Sequence, residues 1–140
     1  MKNNAAILMR TVQTVDGEDD VIELQTCGKF AERDGKYFIS YEETELTGFE
    51  DTVTTIKISD NRVKMSRSGK YNMSMTYETG EKNLCYYETA YGSIAVAVDT
   101  KEIISGLTPA GGKILIDYIL DADNTTFAHN RLEITVTKER

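Results

Sequence analysis

Between Val53 and Tyr77 three alternating runs follow one another with almost no residues to spare. Thr54, Ile56 and Ile58 alternate with Thr55, Lys57 and Ser59. After a turn at Asp60-Asn61, Val63, Met65 and Arg67 oppose Lys64, Ser66 and Ser68. After Ser68-Gly69, Met73, Met75 and Tyr77 oppose Asn72, Ser74 and Thr76. Period-two alternation marks half-buried strands. Links this short join antiparallel neighbours, because parallel ones need crossovers of about a dozen residues or more. The stretch therefore predicts a meander. Its anomaly is Arg67, which shares the core-facing side with Val63 and Met65.

The flanking chain repeats the pattern. A first strand is expected over Ala5 to Val15, ending at Asp16-Gly17. A second starts at Val21, with Ile22, Leu24 and Thr26 on one face. Gly28 interrupts it and predicts a bulge or bend, and Asp34-Gly35 is a strong hairpin signal. Lys36 to Glu45 forms a third strand with aromatics on both faces, and Leu46 to Asp51 a longer connection. Leu84–Thr89, Ser93–Asp99, Ile114–Leu120 and Leu132–Val136 complete the strands. Thr100 to Leu107 reads either as a strand continuation or as a helical turn. Thr108 to Gly112 reads as a loop, and Asp121 to Asn130 as a polar connection. Nine or ten strands with no composition break predict one domain over 1–140. Closing the meander removes two exposed edges that would otherwise invite strand pairing. The expected fold is all-β: a single closed antiparallel meander β-barrel of 8–10 strands, its interior filled by side chains or holding one small ligand.

Sixteen Lys+Arg against 23 Asp+Glu give a net charge of −7. Such a chain repels phosphate backbones and anionic membranes, so neither nucleic acid nor membrane is expected as a partner. Lys57, Arg62, Lys64, Arg67 and Lys70 form the densest basic group, which alternation spreads over two faces as solvated charge. No apolar run approaches the ~20 residues that span a bilayer. Met1 to Arg10 lacks an export pattern, and Cys27 and Cys85 are isolated. Reduced, partly buried thiols and a cytoplasmic location are expected.

Several short pieces, taken in order, resemble the YwiB-like family of uncharacterised bacterial proteins. They are Asp34-Gly35-Lys36-Tyr37, Tyr41-Glu42-Glu43, Thr55-Ile56-Lys57-Ile58 and Arg67-Ser68-Gly69, then Met73, Tyr77, Gly80, Tyr87-Glu88-Thr89 and Gly92. The resemblance runs from about Ile7 to Val136. It implies a calycin-type, lipocalin-like barrel and carries over no reaction, ligand or catalytic residue. Fold alone does not fix function.

Arg67 leads the candidate residues. A guanidinium is always charged and is costly to desolvate without a partner. It either receives an anionic or carbonyl-bearing ligand in the barrel or makes a buried structural pair, with Glu43 and Glu88 as candidate partners. Tyr37, Tyr41, Tyr77, Tyr86, Tyr87, Tyr91 and Tyr118 either line a cavity or serve as cross-strand packing. Met65, Met73 and Met75 fill irregular space or form an adaptable wall. His129 has no ligand at metal spacing, and no nucleophile elbow, phosphate loop or carboxylate dyad occurs, so no catalytic residue, metal or cofactor is assigned.

The first functional reading is a small-molecule binding barrel, its partly apolar ligand held by Arg67, Tyr41, Met73, Met75, Tyr77, Tyr87 and Tyr118. It requires a lumen of a few hundred Å^3. The alternative is a filled barrel acting as a structural or interaction protein through its outer surface, as a monomer or a homodimer. An enzyme ranks third.

Overall fold

The computed structural model describes residues 3–44, 50–122 and 125–139, apart from the side chains of Tyr87 and Thr89. All regular structure among the described residues is β. The strands are β1 (Ala5–Val15), β2 (Glu18–Arg33), β3 (Lys36–Glu42), β4 (Thr52–Ile58), β5 (Arg62–Gly69), β6 (Met73–Glu78), β7 (Lys82–Thr89), β8 (Gly92–Ser105), β9 (Gly111–Ala122) and β10 (Thr125–Lys138). Each pairs antiparallel with its sequence neighbour, and β1 pairs with β10, so ten strands close into one barrel.

Local chemistry sets the turns. Asp16-Gly17 and Asp34-Gly35 all adopt positive φ, at 51°, 80°, 55° and 79°. Two left-handed residues make the tight hairpin turn that matches strand twist, and Asp and Gly tolerate that conformation best. Gly28 holds no bulge, because β1 and β2 stay in register up to the Ala5–Gly28 pair. Here β2 passes from β1 to β3, whose pairing begins at Lys29. A Cβ on Gly28 would lie 2.4 Å from the Ser40 carbonyl oxygen and 2.6 Å from Ile7 Cδ1. Close approach of the two neighbours requires the glycine.

The residues from Thr100 to Ser105 continue β8, with a bulge between Thr100 and Glu102. The span Asp121 to Asn130 is mostly strand: β9 runs to Ala122 and β10 starts at Thr125. Its polar side chains occupy a pairing ladder, so composition alone misread it. His129 consequently sits on β10, where Nε2 lies 2.5 Å from Asp117 Oδ1 on the outer wall.

Core packing is graded along the barrel axis. One end carries both chain termini and the turns after β2, β4, β6 and β8. There Ile56, Ile58, Val63, Val98, Ile114, Ile116, Ile134 and Val136 are fully or almost fully buried. Burying each such side chain contributes about 1.5–3 kcal/mol. The other end carries the turns after β1, β5, β7 and β9. Burial loosens towards it: Ile7, then Met9 and Thr11 on β1; Ile116, Tyr118, then Leu120 on β9. Ile22 and Ile94 hold the same inward register at that end and are 60% and 41% exposed.

Candidate functional site

The loosely filled end contains a cavity of about 250 Å³. Met9, Thr11, Met65, Arg67, Met73, Met75, Tyr77, Val96, Tyr118, Leu120 and Leu132 line it. Alternation explains the convergence: each lies on the inward register of its strand. Met65 and Met75 face each other across β5 and β6, and Arg67 faces Met73 one row nearer the rim. Arg67 is partly buried, and its Nη1 donates to Met73 Sδ at 3.3 Å. The β6–β7 seam beside this pair is short among the described residues, with Met73–Tyr87 and Ser74–Tyr86 in register and the Glu88 N–H donating to the Asn72 carbonyl.

Tyr77 and Tyr118 form the floor, with ring centroids 4.7 Å apart in an edge arrangement. Tyr77 is fully enclosed, and burial drives its phenol pKa well above the ordinary value, helped by Tyr118. Burial likewise raises Tyr118, while hydrogen bonds from Tyr77 and Asn130 and the nearby Arg67 charge pull the other way. Thr100, Tyr118 and Asn130 pair across β8, β9 and β10, all buried. Cys85 is buried next to this group, and burial raises its thiol to about 11 against the opposing Arg67 charge.

The sequence-nominated residues separate into groups. Arg67, Met65, Met73, Met75, Tyr77 and Tyr118 meet at the cavity. Tyr41 is buried on the same register but lines an adjoining groove with Glu43; its hydroxyl donates to Met9 Sδ at 3.2 Å. Burial, followed by the neighbouring Glu43 charge, pushes the Tyr41 phenol well up. The Tyr87 side chain lies outside the described residues. Tyr86 and Tyr91 do not face the lumen: Tyr86, 64% exposed, points outward because Cys85 sets the inward register of β7, and the fully exposed Tyr91 lies in the turn between β7 and β8. Tyr37 stacks on Phe30 at 5.9 Å, away from the cavity.

Glu43 accepts a hydrogen bond from Thr54 Oγ1 at 2.8 Å, and Glu88 accepts one from Asn72 Nδ2 at 2.9 Å. Glu88 shares the outward register with Leu84 and Tyr86, unlike the inward carboxylate expected for a lumen arginine. Cys27 is exposed rather than partly buried. Among the described residues no group of three His, Cys, Asp or Glu is placed to hold a metal. The cavity residues not anticipated are Met9, Thr11, Val96, Leu120 and Leu132. Their alternation was present in the sequence, but nothing in it distinguished the loose end from the filled one.

Known proteins of this shape bear on the site. Residues 7–134 match a family model described as a domain of unknown function, DUF1934. An uncharacterized beta-barrel protein, YwiB from Bacillus subtilis (strain 168), is 30% identical over 142 residues, covering 99% of this chain and 96% of its own. The crystal structure of the ywiB protein from Bacillus subtilis matches with a TM-score of 0.84 at 27% identity, covering 99% of this chain and 93% of that one.

Proposed function

This chain belongs to the DUF1934 family of β-barrel proteins, whose description carries no activity, and from its lumen we propose a small-molecule binding role. The ligand is partly apolar and sits among Met9, Met65, Met73 and Met75, with Arg67 and Tyr118 at its polar contacts. The observation that carries this reading is the cavity. About eight strands enclose an interior just wide enough for side chains to fill, and this ten-strand barrel is closely filled at one end and loosely at the other. About 250 Å³ lies just under the ~300–1,000 Å^3 range of ligand pockets, which suits a fragment-sized molecule. Apolar walls with a few convergent polar groups are the usual make-up of such sites. Methionine walls adapt to shape because the thioether side chain is flexible and polarizable.

Native mass spectrometry of the protein purified from its own host tests the reading. A co-purifying small molecule whose release follows Met75→Trp supports it. A ligand-free protein whose lumen also rejects every apolar probe would sink it.

A second reading rests on Leu84 and Tyr86, which project from β7 at 62% and 64% exposure. They face outward beside Ala95 and Ala97 of β8. On this reading the outer wall mediates self-association, and Leu84→Asp returns a dimer to monomer in analytical ultracentrifugation.

A further inference from the structure

The outer wall carries a charge contrast that the lumen does not use. On β7–β10, Lys82, Lys101, Lys113 and Arg131 meet the carboxylates of Asp121, Asp99, Glu133 and Asp117 in turn. On β2–β5, Arg33, Lys36, Lys57, Arg62 and Lys64 make no ion pair among the described residues. The acids beside them, Glu78 opposite Arg62 and Asp34 and Asp60 in the flanking turns, stay out of ion-pair reach. Register tightens the group: Arg33 stands directly opposite Lys36, and Lys57 directly opposite Lys64. Like charges so placed destabilise a sheet. Alternation with the buried Ile56, Ile58, Val63 and Met65 turns Lys57, Arg62 and Lys64 outward together. Arg67 faces the lumen and Lys70 pairs with Glu50, so the remaining basic residues gather on one face instead of spreading over two. Lys36, Phe38, Lys57, Ser59, Arg62 and Lys64 line a cavity of about 280 Å³ there, and no carboxylate lines it among the described residues. Lys57 Nζ lies 5.8 Å from the Phe38 ring centroid, a cation–π contact that holds the ammonium beside the cavity.

A concave cluster of this kind selects a compact polyanion. A monocarboxylate would neutralise a single cation and leave the others repelling one another. A nucleic-acid strand or a membrane spreads its charge over a long track, and the net charge of −7 opposes that approach beyond the cavity. An oligophosphate concentrates several charges on a short chain. Arg62 can grip paired oxygens through its planar fork, and the lysine ammonium groups act as point charges along the rest. We propose that this cavity binds the di- or triphosphate group of a small molecule, held by Lys36, Lys57, Arg62 and Lys64. Phosphate oxygens between Lys57 and Lys64 replace their repulsion with two attractions. The site lies on the outer wall at the filled end and is independent of the lumen.

Calorimetric titration of the full chain with tripolyphosphate tests this, with citrate and a single-stranded oligodeoxynucleotide as competing polyanions. Tripolyphosphate is expected to bind at least about tenfold more tightly than citrate, the worth of one further charge-assisted hydrogen bond. Lys64→Gln should weaken it about tenfold, and Lys57→Gln combined with Lys64→Gln about a hundredfold. Lys113→Gln removes a paired cation from another part of the wall and should leave the affinity unchanged. Equal affinity for citrate would overturn the phosphate assignment. Tighter binding of the oligonucleotide would overturn it in favour of a nucleic-acid face. A loss in Lys113→Gln as large as that in Lys64→Gln would reduce the effect to net charge. Absence of tripolyphosphate binding, or binding that survives the double substitution, overturns the site itself. Lys64→Gln also removes the repulsion from Lys57, so it should melt no lower than the natural chain. A lower melting temperature would assign Lys64 to the fold and overturn its role in binding.

Discussion

The two ends of this barrel are built from the same ten strands and differ in what the strands point inward. At the end with the termini, β-branched Ile and Val meet across neighbouring strands: Ile58 with Val63, Ile134 with Ile114, Ile7 with Val136. At the hairpin end the same registers bring in Met9, Met65, Met75, Tyr118 and Arg67. Stiff branched side chains have few rotamers and fill a lumen layer by layer. Long flexible ones leave irregular space and cover it adaptably. One end therefore supplies stability, and the other has room for chemistry.

Truncation should expose the contrast most strongly. Ile116→Ala is expected to cost about 2–5 kcal/mol in urea unfolding, and Met75→Ala less than half of that, since Met75 already borders empty space. Equal losses would show that the two ends are packed alike.

Gly28→Val is next in size. The new Cβ must displace the Ser40 carbonyl and the Ile7 side chain, so a loss of at least about 1–3 kcal/mol is expected. An unchanged melting temperature would mean that β2 moves freely between its two neighbours.

Thr54→Val probes the boundary between the regions. It strips the hydrogen bond from the buried Glu43 carboxylate, and about 1–3 kcal/mol should go. Retained stability would indicate that Glu43 turns to solvent.

Raised acid groups then give the loose end a pH signature. Tyr41, Tyr77, Tyr118 and Cys85 all have folded pKa values above their unfolded ones. Below the unfolded values both states are protonated and the contribution is complete. As pH rises the unfolded chain ionises first, so stability falls, for Cys85 between pH 9.0 and about 11. Denaturant midpoints measured across that window should decline steadily, and a flat profile would mean these groups are accessible to water.

The smallest effect belongs to the outer wall. Tyr86→Ser should change monomer stability by no more than about 0.5 kcal/mol. A larger loss, dependent on protein concentration, would favour the self-association reading.

Much of the fold was legible in the chain. Alternation at Ile56–Ile58, Val63–Met65 and Met73–Tyr77 fixed strand, face and order, because side-chain period and turn length leave few alternatives. Gly28 was legible as a special position but not as a close approach, which requires knowing that Ile7 and Ser40 flank it. The stretch from Asp121 to Asn130 resisted reading because ladder hydrogen bonds stabilise polar strands that composition assigns to loops. His129 went with it, since its partner Asp117 lies one strand away.

By itself the sequence determined a closed antiparallel meander and placed Arg67, Met73, Met75, Tyr77 and Tyr118 on inward registers, since strand geometry has a fixed period. Only the tertiary structure decided that these residues meet, that Tyr86 and Tyr91 turn away, and that one end of the lumen stays unfilled. Those outcomes depend on how registers from β1, β5, β6, β9 and β10 stagger around the closed wall, and that stagger is set jointly by strands far apart in the chain.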